Sequence, residues 1–315
     1  MRQPPRIAAV LWMPGRVEDA AAALAALGTV KDLCSITLYA LDPKKASASI
    51  PPGTEVLIKQ AVALSAAMTE IFADGVDQAL LLTGPVIVPA DILAFAAEWA
   101  AQDPRIATVS FLSNAPGYLS FPHRNQQRPQ HSPGHTAESL TKILRSEPLQ
   151  PQMVHIPAPE GDVTLIGRGA FIASGGFDPA FDSNPSASFP VTEFGLRASR
   201  RGFFLGLDVQ TYVVAPVDLE ADAPLPTTDR AQRHLLHSAH RFFPSLYDQQ
   251  RDSNDGPLAL ALDHARAKCN GLRILVDATC LGPHETGTQV QTAALIRTLA
   301  DHPRVQWVGA SLPDT

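Results

Sequence analysis

Cysteine and positive charge are both scarce in this sequence. Its three cysteines, Cys34, Cys269 and Cys280, have neither the spacing of a disulfide framework nor that of a metal motif. A reducing compartment is therefore expected. The formal net charge is −6, which gives no electrostatic reason to expect nucleic acid or an anionic membrane as a partner.

Long hydrophobic runs are absent as well. No apolar stretch approaches the length that crosses a bilayer, and the start of the chain leads into a short strand pattern rather than a signal peptide. With 45% hydrophobic and 18% charged residues, the composition is typical of a globular protein with a real core. The expected location is the cytoplasm, and 315 residues suffice for one large domain or two.

The first third of the chain alternates strand and helix patterns. Strands are predicted at 6–12, 35–41, 55–59, 79–82 and 106–111, and helices at 17–27, at 65–73 and after Asp91, with Ala90 or Asp91 as its cap. This alternation predicts a doubly wound α/β domain. Because ligands bind beyond the carboxyl ends of the strands in such sheets, Thr83, Gly84 and Pro85 are expected at the lip of a crevice.

The rest of the chain is less regular. A loop is predicted at 123–134, helices at 136–146, 192–201, 230–243 and 258–268, a strand at 163–167, a strand pair at 203–214 and a linker at 215–228. A last strand, loop, helix and strand follow at 272–278, 282–287, 288–300 and 305–310. That final unit is too small to bury both faces of its strands, so either it docks on the first domain or, as we expect, the chain is a piece of a longer protein. The predicted boundaries are 1–215 for the first domain, 216–270 for a linker with amphipathic helices and 271–315 for an incomplete domain.

Several of these stretches, in this order, resemble family-2 glycosyltransferases of GT-A fold. The similar segments are ATVSFLSN at 107–114 with LSFP at 119–122, GRGAFIASGGFDPAF at 167–181 and EFGLR at 193–197. The resemblance implies a GT-A-like doubly wound mixed sheet. It also implies transfer of a sugar from a nucleoside diphosphate to a glycan acceptor in bacterial surface polysaccharide assembly, such as O-antigen, lipopolysaccharide or capsule.

Such transfer needs a counter-charge for the leaving diphosphate and a carboxylate that takes the acceptor's proton. The family places an acidic metal-binding pair where this chain has Thr83, Gly84 and Pro85, so we expect no metal site and no cofactor. By the same resemblance Glu193 is the candidate base. Asp42, Asn114 and Arg197, with the three strand-end residues, are the candidate nucleotide-sugar contacts.

Simpler explanations exist for these residues. An acid on a helix, such as Glu193, is commonly solvated, and Asp42-Pro43 is a common turn pair. Arg197 lies near a helix end, where a positive charge interacts favourably with the helix dipole. Gly175 and Gly176 indicate a tight turn, with Phe177 as a core anchor. His234, His237 and His240 share a helical stripe without an acid or cysteine at ligand spacing.

The tail from Arg273 resembles the start of a family-4 glycosyltransferase of GT-B fold. The resemblance implies a second transferase domain as the natural partner, with peripheral association to membrane-bound glycan assembly. Three hypotheses follow for the first domain: a scaffold or acceptor-positioning module without metal-dependent catalysis, an active metal-independent inverting transferase that uses Glu193, or a non-catalytic carbohydrate-binding or oligomerisation domain.

Overall fold

The computed structural model describes residues 4–13, 20–114, 117, 119–122, 136–146, 153–182, 188–215, 227–253, 255–281 and 286–312. The chain divides into two compact units, Met1–Leu262 and Asp263–Thr315. The predicted loop at 123–134 lies outside the described residues, as do most of the linker at 215–228 and of the loop at 282–287.

The first unit is built on one eight-stranded sheet in the order β3-β2-β1-β4-β7-β5-β8-β6. The strands are β1 (Ile7–Met13), β2 (Leu33–Ala40), β3 (Leu57–Gln60), β4 (Gln78–Leu82), β5 (Ile106–Ser113), β6 (Met153–His155), β7 (Val163–Gly167) and β8 (Phe204–Val213). Strands β1 to β4 pair in parallel, and β5 pairs in parallel with β8. Strand β7 runs antiparallel between β4 and β5, so the sheet is mixed, as predicted.

Helices pack against both faces of this sheet. The helices of the first unit are α1 (Ala20–Leu27), α2 (Pro43–Ala48), α3 (Leu64–Ala73), α4 (Leu93–Gln102), α5 (Ala137–Arg145), α6 (Arg168–Ser174), α7 (Ser188–Arg200), α8 (Thr227–Ala239) and α9 (Phe243–Asp252). Helix α10 (Pro257–Asn270) spans the boundary between the units, and α11 (Gly287–Ala300) lies in the second unit. Every residue of β1, β4 and β5 is buried, which explains why these strands read as continuous rather than alternating apolar runs. Leu11 of β1 shares one apolar cluster with Leu24 of α1 and Leu93 of α4.

Several predicted elements differ from the structure. Residues 203–214 form the single strand β8 rather than a strand pair, and its pairing with β5 shifts register after Asp208. The three-residue strand β6 and the short helix α2 were not predicted. The helix predicted at 230–243 corresponds to α8, which ends at Ala239, and the next helix, α9, was not predicted. Helix α4 begins at Leu93 with Ile92 as its N-cap, so neither Ala90 nor Asp91 is the cap as predicted; the Asp91 carboxylate pairs with Arg145 of α5.

The two glycines after α6 behave as predicted. Gly175 and Gly176 have φ of +83° and +72°, a left-handed conformation that side chains other than glycine rarely adopt. Phe177 follows them into the core and meets Phe171 and Phe194 at ring-centroid distances of 5.4 Å each. This turn fixes where α6 ends and where the chain approaches α7.

The second unit contains a parallel strand pair and helix α11. Strand β9 (Leu272–Asp277) pairs with β10 (Val305–Ser311). None of the described side chains of α11 is buried, and Leu275, Val290 and Trp307 are all exposed. The strand, helix and strand thus match the predicted unit, with apolar side chains left uncovered.

Candidate functional site

The carboxyl ends of β1, β2 and β4 lie at one edge of the sheet, because these strands are parallel neighbours. Strand β4 ends at Leu82, and Thr83, Gly84 and Pro85 follow it at that edge. We call this end of the sheet the rim. It comprises Thr83, Gly84 and Pro85 after β4, Asp42 after β2 and Asp162 before β7. The structure thus places the predicted strand-end residues where a ligand of an open α/β sheet binds.

The antiparallel strand β7 brings a carboxylate to the rim that the sequence analysis missed. Asp162 directly precedes β7, whose Val163 is paired with Leu82 at the end of β4. The Thr83 N–H donates to the Asp162 carbonyl oxygen at 2.9 Å. The Thr83 hydroxyl lies 3.4 Å from the Asp162 Oδ1 and 3.4 Å from its carbonyl oxygen. One acid therefore lies beside Thr83, Gly84 and Pro85, where the sequence analysis found no acid and predicted no metal site.

The Asp162 carboxyl has few partners. Its desolvation at the rim raises its pKa, and the Thr83 hydroxyl opposes that shift. Among the described residues, no lysine, arginine or histidine forms an ion pair with Asp162. A half-buried carboxyl with one long hydrogen bond retains most of its capacity to accept bonds from a ligand.

Asp42 also lies at the rim, with a local structural task. It is the N-cap of α2, and its Oδ1 accepts from the backbone N–H groups of Lys44 and Lys45 at 3.1 and 3.2 Å. These bonds satisfy two N–H groups of the first turn that have no partner inside the helix. The carboxylate of Asp42 is thereby held in place at the end of β2.

Asn114 is buried at the end of β5 and clamps two strands together. Its side-chain amide donates to the Ala215 carbonyl oxygen and its Oδ1 accepts from the Ala215 N–H, both at 2.7 Å. Ala215 follows β8. The two bonds match what a residue of a neighbouring strand would provide, so Asn114 extends the β5–β8 pairing beyond its last residues.

Glu193 and Arg197 form a bidentate pair on α7. The Arg197 Nε donates to Oε1 at 2.9 Å and its Nη2 to Oε2 at 2.7 Å. Arg197 Nη2 also donates to the Gly176 carbonyl oxygen at 2.7 Å, and Nη1 donates to that of Ser174. The hydrogen bonds that Arg197 donates to Glu193 raise the pKa of the Arg197 guanidinium. The pair thus ties α7 to the end of α6.

This pairing bears on the chemistry expected of Glu193. The helix begins at Ser188, four residues earlier than predicted, and Glu193 is 4% exposed. Its Oε1 also lies 3.4 Å from Nε2 of the buried His240. The guanidinium occupies one acceptor position on each carboxylate oxygen and His240 approaches another, so few positions are left from which Glu193 could take a proton from a hydroxyl. The structure brings Glu193 and Arg197 to each other, and no described contact joins them to Thr83, Asp42 or Asn114.

Helices α8 and α9 pack within the first unit through apolar and polar contacts. Their Leu236 and Phe243 share a buried cluster with three residues of the sheet-bearing part, Ala158, Phe181 and Leu196. The Tyr247 hydroxyl of α9 donates to Glu160 Oε1 at 2.8 Å, and the other oxygen of Glu160 accepts from the Leu119 N–H at 3.0 Å. These contacts attach α8 and α9 to the segment that leads into β7.

The described residues contain no group of three or more His, Cys, Asp or Glu side chains arranged to hold a metal ion. The histidine stripe does not form one, since His240 lies outside α8 and its Nε2 faces Glu193. Within the described part of the chain, no helix has the length and apolarity needed to cross a bilayer.

No protein-family model matches this sequence, and no curated protein matches it either. Solved structures do resemble it. The structure of GalNAc-T7 with UDP, GalNAc and Mn²⁺ matches with a TM-score of 0.54 and 13% identity over 84% of this chain and 55% of that one. The mannosyltransferase PcManGT from Pyrobaculum calidifontis, in complex with GDP-Man and Mn²⁺, matches with a TM-score of 0.52 and 14% identity over 95% of this chain and 80% of that one.

These similarities confirm the predicted fold. The chain has a GT-A-like glycosyltransferase fold with a large mixed sheet. It spans about half the length of GalNAc-T7 in that comparison. At such identities the comparison concerns the fold alone.

The comparisons contradict one expectation, that no metal cofactor takes part. Both structures hold Mn²⁺ together with a nucleotide, so the prediction was wrong. It relied on the missing acids after β4. A cation of the Mg²⁺ type is commonly held by one or two carboxylates plus the phosphates of the substrate, so the loss of a paired motif does not remove every ligand.

Proposed function

We propose that the first unit binds a nucleoside diphosphate sugar at the rim and serves as a scaffold or acceptor-positioning module in bacterial surface polysaccharide assembly in the cytoplasm. The GT-A-like fold supports the ligand class. The observation that carries the scaffold role is the Glu193–Arg197 pair, which engages both oxygens of the candidate base. Binding and catalysis would then be separate properties of this fold, with only binding retained.

The second unit enters the proposal as the partner. Its parallel strand pair and α11 leave Leu275, Val290 and Trp307 exposed, as expected of the first part of a larger sheet domain. We propose that it opens a GT-B-like transferase domain, to which the first unit supplies donor or acceptor. Peripheral association with membrane-bound glycan assembly would place both domains near their acceptor.

Calorimetry with UDP-, GDP- and dTDP-sugars, each with and without Mn²⁺, tests the binding half of this proposal. We expect at least one nucleotide sugar to bind. Binding to glycans but to no nucleotide would instead support a carbohydrate-binding domain and overturn the proposal.

A turnover assay tests the other half. The protein is incubated with the nucleotide sugar that binds, and release of the nucleoside diphosphate is followed. We expect no release above the background rate. Rapid release that Glu193→Gln abolishes would show that Glu193 is a base after all, and that the domain is an active transferase.

A further inference from the structure

Asp162 differs from the other acids described so far in having no strong partner. Asp42 accepts two backbone N–H groups of α2, and Glu193 accepts two N–H groups of Arg197. Within the described part of the chain, the Asp162 carboxylate accepts only from the Thr83 hydroxyl, at 3.4 Å. Removing a carboxyl from water without giving it strong hydrogen bonds costs stability. Because the fold does not supply such bonds to Asp162, a ligand-binding role accounts for this residue better than a structural role does.

The position of Asp162 follows from strand direction. Strand β7 is the one antiparallel strand between β4 and β5, so its amino end meets their carboxyl ends. The Thr83 N–H bond to the Asp162 carbonyl fixes the two residues side by side at 2.9 Å. The Thr83 hydroxyl and the Asp162 carboxylate thus offer two hard oxygens in one place.

We propose that Asp162, with the Thr83 hydroxyl, holds a divalent cation of the Mg²⁺ or Mn²⁺ type that binds together with the diphosphate of a nucleotide. The donor set fits such an ion, since these cations prefer oxygen ligands and accept one carboxylate when phosphates supply others. The described residues offer no group of three metal-ligating side chains. The cation therefore depends on the nucleotide, and the inference rests on the proposed nucleotide binding.

The cation would neutralise part of the negative charge of the diphosphate at the rim. The chain carries a net charge of −6, and Arg197, which the sequence analysis named as a candidate nucleotide-sugar contact, is bonded to Glu193. An ion held between Asp162 and the phosphates compensates for that missing positive charge. The acid that anchors it comes from the neighbouring strand β7 rather than from the end of β4.

Mn²⁺ binding to the whole chain tests the inference without any assay of turnover. Free Mn²⁺ is measured by electron paramagnetic resonance with MnCl₂ alone, and with MnCl₂ plus UDP or GDP, against the same mixtures without protein. We expect weak binding of MnCl₂ alone and much tighter uptake with the nucleotide that binds. Asp162→Asn should weaken that uptake by at least about tenfold, and Thr83→Val should weaken it less.

Asp74→Asn is the matched control, because Asp74 is an exposed acid at the end of α3, away from the rim. It should leave Mn²⁺ uptake unchanged. Asp162→Cys provides a second, independent variant. A thiolate prefers softer metals, so this change should shift preference from Mn²⁺ towards Cd²⁺, which a purely structural aspartate would not do.

The outcomes separate the two proposals. If a nucleotide binds equally well with and without Mn²⁺, and Asp162→Asn has no effect, the cation site is refuted while nucleotide binding stands. If Mn²⁺ uptake depends on the nucleotide but not on Asp162, the site lies elsewhere and the inference fails. If no nucleotide binds under any condition, both proposals fall.

Discussion

The pairing of Glu193 with Arg197 makes a quantitative prediction about which role this carboxylate has. The side chain of Glu193 is 5% exposed and that of Arg197 is 23% exposed. Removing one partner of a buried ion pair leaves the other charge uncompensated, which costs roughly 3–5 kcal/mol. Because Arg197 keeps some contact with solvent, we expect Glu193→Gln to lower the free energy of unfolding by about 3 kcal/mol, near the low end of that range.

Arg197→Gln should cost somewhat more than Glu193→Gln. It also removes the donors to the carbonyl oxygens of Ser174 and Gly176, which close the turn after α6. The double variant should lose less than the sum of the two single variants, by roughly 1–3 kcal/mol, because each single change already breaks the shared pair. Urea unfolding followed by circular dichroism measures all three values.

Glu98→Gln on α4 is the control for loss of a glutamate charge, since Glu98 is exposed and bonded only to Gln102 among the contacts described. It should change stability by no more than about 0.5 kcal/mol. If Glu193→Gln unfolds at the same urea concentration as the parent protein, the Glu193–Arg197 pair does not stabilise the fold and its proposed structural role is refuted. A simultaneous loss of about a hundredfold or more in donor hydrolysis would then assign Glu193 to general-base chemistry.

Three further changes test other parts of the structure by the same unfolding measurement. Asn114→Ala should destabilise by roughly 2–4 kcal/mol, because it leaves both backbone groups of the buried Ala215 without their partner; Asn114→Asp should cost at least as much, because it buries a carboxylate and sets one of its oxygens against the Ala215 carbonyl oxygen. Gly195→Ala should destabilise by roughly 1–3 kcal/mol although alanine favours helices, because the added methyl group would overlap the ring of Pro159; a stabilised variant would contradict the packing. Burial raises the pKa of Asp208 above that of the unfolded chain, so the free energy of unfolding should fall as pH rises through that raised pKa; Asp208→Asn should lose this dependence, and parallel pH profiles of the two proteins would refute it.

The parts of the fold that were predictable are those with a strong local signal. The apolar runs of β1, β4 and β5 indicate strands buried on both faces, and all three are fully buried. Their alternation with helices is enough to predict a doubly wound sheet. Strand β6 has only three residues and pairs only with β8, so its existence depends on a distant partner that no local pattern reveals.

The roles of the predicted site residues were harder to predict than the strands, because those roles depend on long-range contacts. The rim position of Thr83 follows from strand order, but Asp162 is separated from it by 79 residues and reaches it only because β7 runs antiparallel. An antiparallel assignment for the strand at 163–167 would have placed Asp162 there. The bidentate pair of Glu193 and Arg197 was readable from their four-residue spacing on one helix, whereas the approach of His240 was not.

Three acids of the first unit have different partners, and this difference would allow donor binding without proton abstraction, as proposed above. Glu193 lies in the helix that would supply a base, but the guanidinium of Arg197 engages it. Asp42 remains at the rim as a fixed cap of α2, and Asp162 meets no cation among the described residues. A positive ion is attracted to the acid that lacks a counter-charge, and a proton goes to the acid that is free to accept it. The first condition applies to Asp162, and the second does not hold for Glu193 while both of its oxygens are bonded to Arg197, so the proposed cation ligand and the candidate base are different residues on different elements.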